Sequence, residues 1–192
     1  MKSDMPFLGV RLPDVRRLVR SEAGAEKDAD ALLAASLELW DAATRREERY
    51  AAQALLTLRP LRGDARLVPV IEHMVRTGQW WDYTDELSHR LAELHDARPS
   101  ETASLVRTWS TDDDLWVRRT AIISQLGRRE RVDTEVLTDV LRPNLADREF
   151  FIRKAIGWAL REYARVDPAW VRAYAATHDL SPLSRREALK HL

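Results

Sequence analysis

Helix start and stop signals recur at short intervals along the whole chain, and they constrain its fold more than any other feature. Ala, Leu, Arg and Glu dominate the sequence, and only six glycines occur among its 192 residues. No stretch alternates apolar and polar residues over the length of a strand. The pattern predicts an all-α fold of about eleven short helices joined by short links.

Two kinds of signal set the predicted helix boundaries. Asp28, Thr44 and Asp64 each stand just before an apolar periodic stretch, and Asp167 and Ser181 each precede a proline at the first helical position. The helices predicted in this way include 12–23, 29–40, 45–58, 65–76, 100–109 and 149–165. Because no connection is long enough to separate two domains, we expect a single domain over residues 1–192.

The composition excludes several classes of protein. The sequence contains no cysteine, which rules out disulfides and thiolate metal sites, and its five histidines are scattered without the spacing of a helical metal pair. No apolar run approaches the roughly 20 residues that a membrane-spanning helix needs, and the first residues lack the apolar core of a signal peptide. We therefore expect a cytoplasmic protein that uses no metal and no cofactor.

An internal repeat appears when the short helices are compared with one another. The segment 114–122 resembles the segment 149–156, and aligning Ala121 with Ala155 gives a period of 34 residues. Each copy has an acidic start, then an apolar residue followed by arginine, then a small residue, which is typical of HEAT-type repeats. Such helical units bury their apolar faces only by stacking, so the repeat predicts a HEAT-like solenoid.

The repeat also relates three charged residues. A period of 34 places Arg119 over Arg153, and one step back from Arg119 reaches Asp85. Equivalent positions of a solenoid line one surface, so we expect these side chains to form a row on the concave face. Two interpretations stay open: the row binds a ligand, or it is a ladder of ion pairs on the surface of the repeats.

The segment 79–85, with the sequence QWWDYTD, combines two tryptophans with two carboxylates. In a helix, Trp81 and Asp85 lie four residues apart and share a face. A face that carries both an indole and a carboxylate suits a cleft that holds a flat or apolar group beside a negative charge. The structural alternative is a tryptophan at the rim of the core with a solvated aspartate nearby.

The second half of the chain is basic and carries two cationic features. Residues 115–192 contain 15 Lys and Arg against 10 Asp and Glu, whereas the whole chain is neutral, with 31 of each. A local basic surface keeps nucleic acid open as a partner. Within 149–165, four side chains at three- and four-residue steps form a stripe that alternates aromatic and cationic groups: Phe151, Lys154, Trp158 and Arg161.

This stripe has two interpretations, as does the C-terminal segment. The aromatic rings either belong to the core, with the cations at its edge, or they contact sugar and base while the cations hold phosphates. In the segment 181–190, a helix start stands beside Arg185, Arg186 and Lys190, which suits a phosphate site or a charged terminal repeat.

Taken together, these residues resemble the AlkD-type alkylpurine DNA glycosylases, a family of HEAT-like repeat proteins. Five segments carry the resemblance and run from one end of the chain to the other: 7–10 (FLGV), 79–85 (QWWDYTD), 115–122 (LWVRRTAI), 149–164 (EFFIRKAIGWALREYA) and 182–191 (PLSRREALKH). The resemblance implies excision of cationic N3- and N7-alkylated purines, such as 3-methyladenine and 7-methylguanine, from double-stranded DNA without deep flipping of the base.

The resemblance also implies roles for individual residues. Trp81, Asp85, Arg119 and Trp158 match the active-site positions of the family, with Asp85 as the catalytic carboxylate. The DNA-binding side chains expected around them are Arg118, Phe151, Arg153, Lys154, Arg161, Arg185, Arg186 and Lys190. We expect a monomer associated with the bacterial nucleoid, working in base excision repair.

The sequence departs from the family pattern in two places. The family has an additional N-terminal helix before the FLG segment, which forms one wall of the DNA cleft, whereas this sequence starts six residues before Phe7. Tyr83 and Thr84 replace smaller or aliphatic residues between the two aspartates, from which we expect an altered cleft wall.

The leading hypothesis is a monofunctional glycosylase for alkylated purines, with bulky adducts as a further class of substrate. No lysine stands beside Asp85 in its segment, so simple hydrolysis without strand cleavage is expected. Two alternatives from other classes remain at this point. One is a non-catalytic HEAT-like module that binds damaged or branched DNA, and the other is a protein–protein scaffold.

Overall fold

A computed structural model of the protein describes residues 5–192, and within that range the chain is all-α, with eleven α-helices, three 3₁₀ turns and no strand. The first five helices are α1 (Leu12–Ala23), α2 (Ala29–Ala42), α3 (Arg46–Leu55), α4 (Leu67–Gly78) and α5 (Trp81–Ala97). They are followed by α6 (Pro99–Trp109), α7 (Leu115–Ile122), α8 (Thr134–Leu141), α9 (Phe150–Tyr163), α10 (Pro168–Thr177) and α11 (Pro182–Ala188). The predicted fold class and number of helices are confirmed.

Local capping chemistry explains where several of these helices begin. The side chains of Asp28, Asp167 and Ser181 accept hydrogen bonds from amide N–H groups of the following turn, as their positions in the sequence predict. The boundaries predicted from Thr44 and Asp64 are one to two residues too early, because α3 begins at Arg46 and α4 at Leu67.

The chain divides into two compact units, Met1–Ala97 and Arg98–Leu192, each with its own set of packed helices. The expectation of one domain over the whole chain stays a prediction. Among residues 5–192, no helix is long and apolar enough to cross a membrane.

Helices of the first unit stack in the manner of a helical repeat. Neighbours in sequence pack as pairs, α2 with α3 and α4 with α5, and the pairs stack through contacts of α2 with α4 and of α3 with α5. Trp40 of α2 is 1% exposed, and its indole N–H donates to Thr77 Oγ1 of α4 at 2.9 Å. The α2–α4 contact is therefore fixed by packing and by a hydrogen bond.

The second unit repeats this arrangement and adds a helix that covers α9. Helix α6 packs on α7 and α8, α7 packs on α9, and α9 also packs on α11. The apolar core of the second unit is formed mainly by Ile122, Ile123, Leu137, Leu141, Ile152, Ile156, Leu160 and Val171.

The repeat between α7 and α9 has a period of 35 residues, not the 34 predicted from the alanines. Arg118 donates to the carbonyl oxygens of residues 112 and 113 at 2.7 and 3.0 Å, and Arg153 donates to the carbonyl oxygens of residues 147 and 148. Arg118 and Arg153 are therefore the equivalent pair, since 153 − 118 = 35, and Arg119 corresponds to Lys154. The alignment of the two alanines is misleading, because both are fully buried but they occupy different positions in their helices. Ala121 is seven residues after the N-cap of α7, whereas Ala155 is six residues after the N-cap of α9.

Candidate functional site

The first turn of α5 carries the tryptophan and the carboxylate that the sequence singles out. Helix α4 ends at Gly78, and the left-handed backbone of the next residue, Gln79 (φ 42°, ψ 46°), stops the helix and lets α5 begin at Trp81. The Trp81 side chain is 43% exposed, and Asp85 is half-buried one turn later. An indole left in solvent beside a carboxylate on the same helix face is consistent with a surface that contacts a ligand.

Asp82, between these two residues, has a different environment. Its carboxylate accepts hydrogen bonds from the Arg46 guanidinium and, at 2.7 Å, from the Tyr50 hydroxyl, both on α3. Burial works against the charged guanidinium, but its hydrogen bonds with Tyr50 and Asp82 outweigh this effect and raise the pKa of Arg46. Burial, together with the nearby Asp82, raises the pKa of the Tyr50 phenol to about 12.

Tyr83 and Thr84 do not form an exposed wall, so the expectation of an altered cleft wall at these positions is wrong. Tyr83 is 2% exposed and Thr84 is fully buried. The Tyr83 ring packs edge-on against Trp40 at 5.2 Å between centroids and lies 5.8 Å from the Tyr50 ring. The Tyr83 ring fills the core between α2, α3 and α5 instead.

Arg119 on α7 is a buried side chain. It is 4% exposed, and its Nη1 donates to the Phe151 carbonyl of α9 at 2.7 Å. The guanidinium also lies 5.9 Å from the centroid of the Phe151 ring, within cation–π distance. Arg119 thus ties α7 to the first turn of α9, and any phosphate that it contacts must approach this buried position.

Other predicted DNA-binding cations of the second unit are engaged in contacts within the protein. The Arg118 guanidinium lies 3.2 Å from Asp147, in addition to its bonds to carbonyl oxygens. On α9, Lys154 lies 3.0 Å from Glu187 of α11, and Arg161 pairs with the same carboxylate. The hydrogen bond from Lys154 and then that from Arg161 lower the pKa of Glu187.

The aromatic members of the α9 stripe are only partly buried. Phe151 packs against Trp116 of α7 and against Phe150, with centroids 4.8 and 5.5 Å apart, and Phe150 itself is 50% exposed. Trp158 is half-buried at the edge of the core. The rings therefore contact the core, as the first interpretation predicts, and their contact with sugar and base stays a prediction.

The C-terminal segment leaves its three predicted cations exposed. Arg185, Arg186 and Lys190 are all exposed, and Arg185 makes one long contact, 3.5 Å, to the His178 carbonyl. The Ser184 amide N–H at the start of α11 is already bonded to the Ser181 hydroxyl. The solvent-accessible positive charge of this segment therefore lies in its side chains.

Sequence reasoning missed the residues that support the predicted site. Arg46, Tyr50 and Gln53 of α3 contact the first turn of α5, and Glu187 pairs with two cations of α9. The three α3 residues share one helix face at steps of four and three, which is the only signal that points to them in advance. Among residues 5–192, no cluster of three or more His, Asp or Glu side chains is suited to a metal ion.

The fold and the candidate site define the class of this protein as a helical-repeat protein with an exposed tryptophan and a carboxylate on one helix turn. The family described as "DNA alkylation repair enzyme" matches residues 1–192, so the chain belongs to this family and has a role in the repair of alkylated DNA. Among solved structures, a "Predicted DNA alkylation repair enzyme from Enterococcus faecalis" is 27% identical, with a TM-score of 0.87 over 97% of this chain and 88% of that chain. A comparison with curated proteins finds no match.

Proposed function

We propose that this protein is a monofunctional DNA glycosylase that hydrolyses the N-glycosidic bond of N3- and N7-alkylated purines in double-stranded DNA. The observation that carries the proposal is the first turn of α5, where an exposed Trp81 and a half-buried Asp85 share a face in a chain of the DNA alkylation repair family. The resemblance to AlkD-type glycosylases supports the choice of substrate.

The chemistry of the substrate explains why these residue types suffice. Alkylation at N3 or N7 gives the purine a positive charge, so the base leaves as a neutral molecule and needs no general acid. The charge that must be stabilised develops on the deoxyribose as the bond from C1′ to nitrogen lengthens. A fixed carboxylate stabilises this oxocarbenium-like sugar and orients the attacking water, and we assign both roles to Asp85.

The aromatic residues act on the same developing charge. An indole face attracts a cation with about 0.5–2 kcal/mol, and the exposed ring of Trp81 offers such a face. The proposal gives Trp158 the same role. Because both interactions strengthen as the sugar becomes positive, they favour the transition state over the bound substrate.

Contacts to phosphates position the DNA in this proposal. Arg185, Arg186 and Lys190 are exposed and suited to backbone phosphates. Arg119 remains the proposed contact to the phosphate beside the lesion, although its guanidinium already donates to the Phe151 carbonyl. The proposal assigns further phosphate contacts to four cations of α7 and α9: Arg118, Arg153, Lys154 and Arg161.

The decisive experiment measures release of free base from methylated duplex DNA by the wild type and by Asp85→Asn. We expect 7-methylguanine and 3-methyladenine to be released by the wild type, and a loss of at least about 100-fold in the variant, because a fixed charge at the reacting sugar is removed. Asp179→Asn, which changes an exposed carboxylate in the other unit, is the matched control and should keep full activity.

Each result has a defined meaning. Wild-type excision rates in Asp85→Asn would refute the assignment of the carboxylate. If neither protein releases a base while both bind DNA in a salt-dependent manner, the chain is a non-catalytic module that binds damaged or branched DNA.

A further inference from the structure

One face of α3 contacts the candidate catalytic turn of α5 at three points. Arg46, Tyr50 and Gln53 follow one another at steps of four and three residues, so they lie along a single stripe of α3. Arg46 and Tyr50 bind the Asp82 carboxylate, and Gln53 Nε2 donates to the Tyr83 carbonyl at 3.0 Å. The stripe thus binds two successive residues of the same turn, one through its side chain and one through its backbone.

These contacts are buried and therefore restrictive. Arg46 is 1% exposed and Gln53 is 2% exposed, and Asp82 retains 21% exposure of its side chain. This ion pair with its supporting hydrogen bond depends strongly on geometry, because the buried Arg46 guanidinium cannot exchange its bond to Asp82 for one with water. The Tyr50 hydroxyl joins the two charged groups, accepting from Arg46 Nε at 3.1 Å and donating to Asp82 at 2.7 Å.

These contacts also affect the reactive side chains, because Asp82 and Tyr83 belong to the same turn of α5 as Trp81 and Asp85. Each residue of an α-helix turns the chain by about 100°, so the Trp81 and Asp85 side chains point within about 40° of each other. The Asp82 side chain, which binds Arg46 and Tyr50 of α3, points about 60° beyond Asp85 on the same turn. Asp82 is directly adjacent to Trp81 and three residues before Asp85. Rotation or fraying of this turn would displace both the indole and the carboxylate.

We propose that Arg46, Tyr50 and Gln53 are positioning residues for the glycosylase reaction, fixing through Asp82 and Tyr83 the orientation of the turn that carries Trp81 and Asp85. The expected effect on catalysis rests on the proposed function. The expected effect on the orientation of the α5 turn rests on the α3–α5 contacts alone. Catalysis by a fixed charge is sensitive to displacements of about 1 Å, which can cost roughly 100-fold in rate.

The test uses Tyr50→Phe, which removes one hydroxyl and keeps the ring that packs near Tyr83. The single-turnover rate of 7-methylguanine release should fall about tenfold, while the dissociation constant for the same DNA changes less than about twofold. Tyr174→Phe is the matched control, because the buried Tyr174 hydroxyl has no hydrogen-bond partner among residues 5–192, and it should keep the wild-type rate.

A second measurement does not depend on activity. In protein labelled with 5-fluorotryptophan, the ¹⁹F resonance that disappears in Trp81→Phe belongs to Trp81. We expect Tyr50→Phe to shift or broaden this resonance and Tyr174→Phe to leave it unchanged. Gln53→Met, which loses the bond to the Tyr83 carbonyl but keeps the length of the side chain, provides a second variant if Tyr50→Phe fails to fold.

The results separate the two proposals. If the wild type releases no alkylated base, the proposed function fails, and the ¹⁹F spectra still decide whether α3 orients Trp81. If the Trp81 resonance and the excision rate are both unchanged in folded Tyr50→Phe and Gln53→Met, the positioning role is overturned. A fall in rate that only follows a loss of folded protein also overturns it.

Discussion

At the scale of single residues, Glu47 shows how one carboxylate organises a segment without regular structure. The side chain is 4% exposed and accepts hydrogen bonds from the amide N–H groups of Leu8, Gly9 and Val10 at 2.9, 2.8 and 3.1 Å. Burial opposes its ionisation, but these three donors and the amide N–H of Glu47 itself outweigh it and lower the pKa of Glu47 below the ordinary value of 4.5.

This arrangement predicts a component of stability that depends on pH. Because the pKa of Glu47 is lowered in the folded state, its contribution is complete above about pH 4.5 and is lost as the pH falls through the lowered value. Glu47→Gln should lower the free energy of unfolding near pH 7 by about 1–3 kcal/mol, because an amide cannot accept from three donors without turning its own N–H₂ towards them.

Urea unfolding of wild type and Glu47→Gln from pH 7 to pH 3 measures both effects. The difference between the two proteins should narrow as the pH falls. Glu38→Gln, on an exposed position of α2, is the control and should follow the wild type throughout. A difference that stays constant with pH would show that the Glu47 carboxylate is not the titrating group.

At the scale of elements, Gly157 determines how closely α11 packs on α9. A Cβ atom added at this position would lie 2.4 Å from the Glu187 Cβ and 2.9 Å from the Ser184 carbonyl oxygen. The Ser184 hydroxyl also donates to the Arg153 carbonyl at 3.0 Å, which fixes the second helix against the first. The close approach is what allows Glu187 to reach Lys154 and Arg161.

The effect of Gly157→Ala follows from two opposing contributions. Alanine favours a helix interior by about 1 kcal/mol over glycine, but here the methyl group must displace the backbone of α11. We expect a net loss of about 1–3 kcal/mol in the free energy of unfolding, measured with urea. A variant as stable as the wild type, or more stable, would contradict the packing described for α9 and α11.

The ion pairs between α9 and Glu187 of α11 predict how this carboxylate affects DNA binding. Glu187→Gln removes the carboxylate shared by Lys154 and Arg161 and frees both cations. If these cations face DNA, affinity at low salt should rise, and the slope of log affinity against log salt should steepen by about 1. Fluorescence anisotropy with a short duplex measures this change.

The control for Glu187→Gln carries the same change in net charge. Glu130→Gln removes an exposed carboxylate in the turn that follows α7 and should have a smaller effect. Equal effects of the two substitutions would mean that net charge alone is responsible and that the α9 stripe does not face DNA.

At the scale of the whole molecule, binding to DNA depends on a local excess of positive charge, because the net charge of the chain is zero. Of the predicted DNA-binding cations, those of the C-terminal segment are exposed and the others are half-buried: the exposed ones are Arg185, Arg186 and Lys190. Replacing all three by alanine should weaken binding to any duplex and lower the salt slope by about 2–3.

A matched triple substitution tests whether position or net charge matters. Arg142, Arg165 and Arg172 are exposed cations of the same unit, and their replacement by alanine removes the same charge. Anisotropy titrations over a range of salt concentrations compare the two variants. An equal loss of affinity in both would show that the C-terminal cations form no specific contact to phosphates.

Local sequence signals predicted most of the helices and the two residues of the α5 turn. Periodicity and capping act within one or two turns of the chain, so Asp28, Asp167 and Ser181 could be recognised as caps without knowledge of the fold. The spacing of Trp81 and Asp85 likewise depends on the geometry of a single helix. The family resemblance added the expected chemistry, and the match over residues 1–192 confirmed the family.

Only the tertiary structure decided which charged groups are buried and which partners they have. Arg46 and Asp82 are 36 residues apart, and Lys154 and Glu187 are 33 apart, so no local pattern relates them. The period of the repeat also required the structure. In the sequence, aligning Ala121 with Ala155 is as good as aligning Arg118 with Arg153, and only the structure shows that the two arginines donate to equivalent loop carbonyls. The sequence by itself determined the helices, whose stabilising contacts are local. Packing between helices determined the pairing of charges, because the cost of burying an ion depends on groups that only folding brings near it.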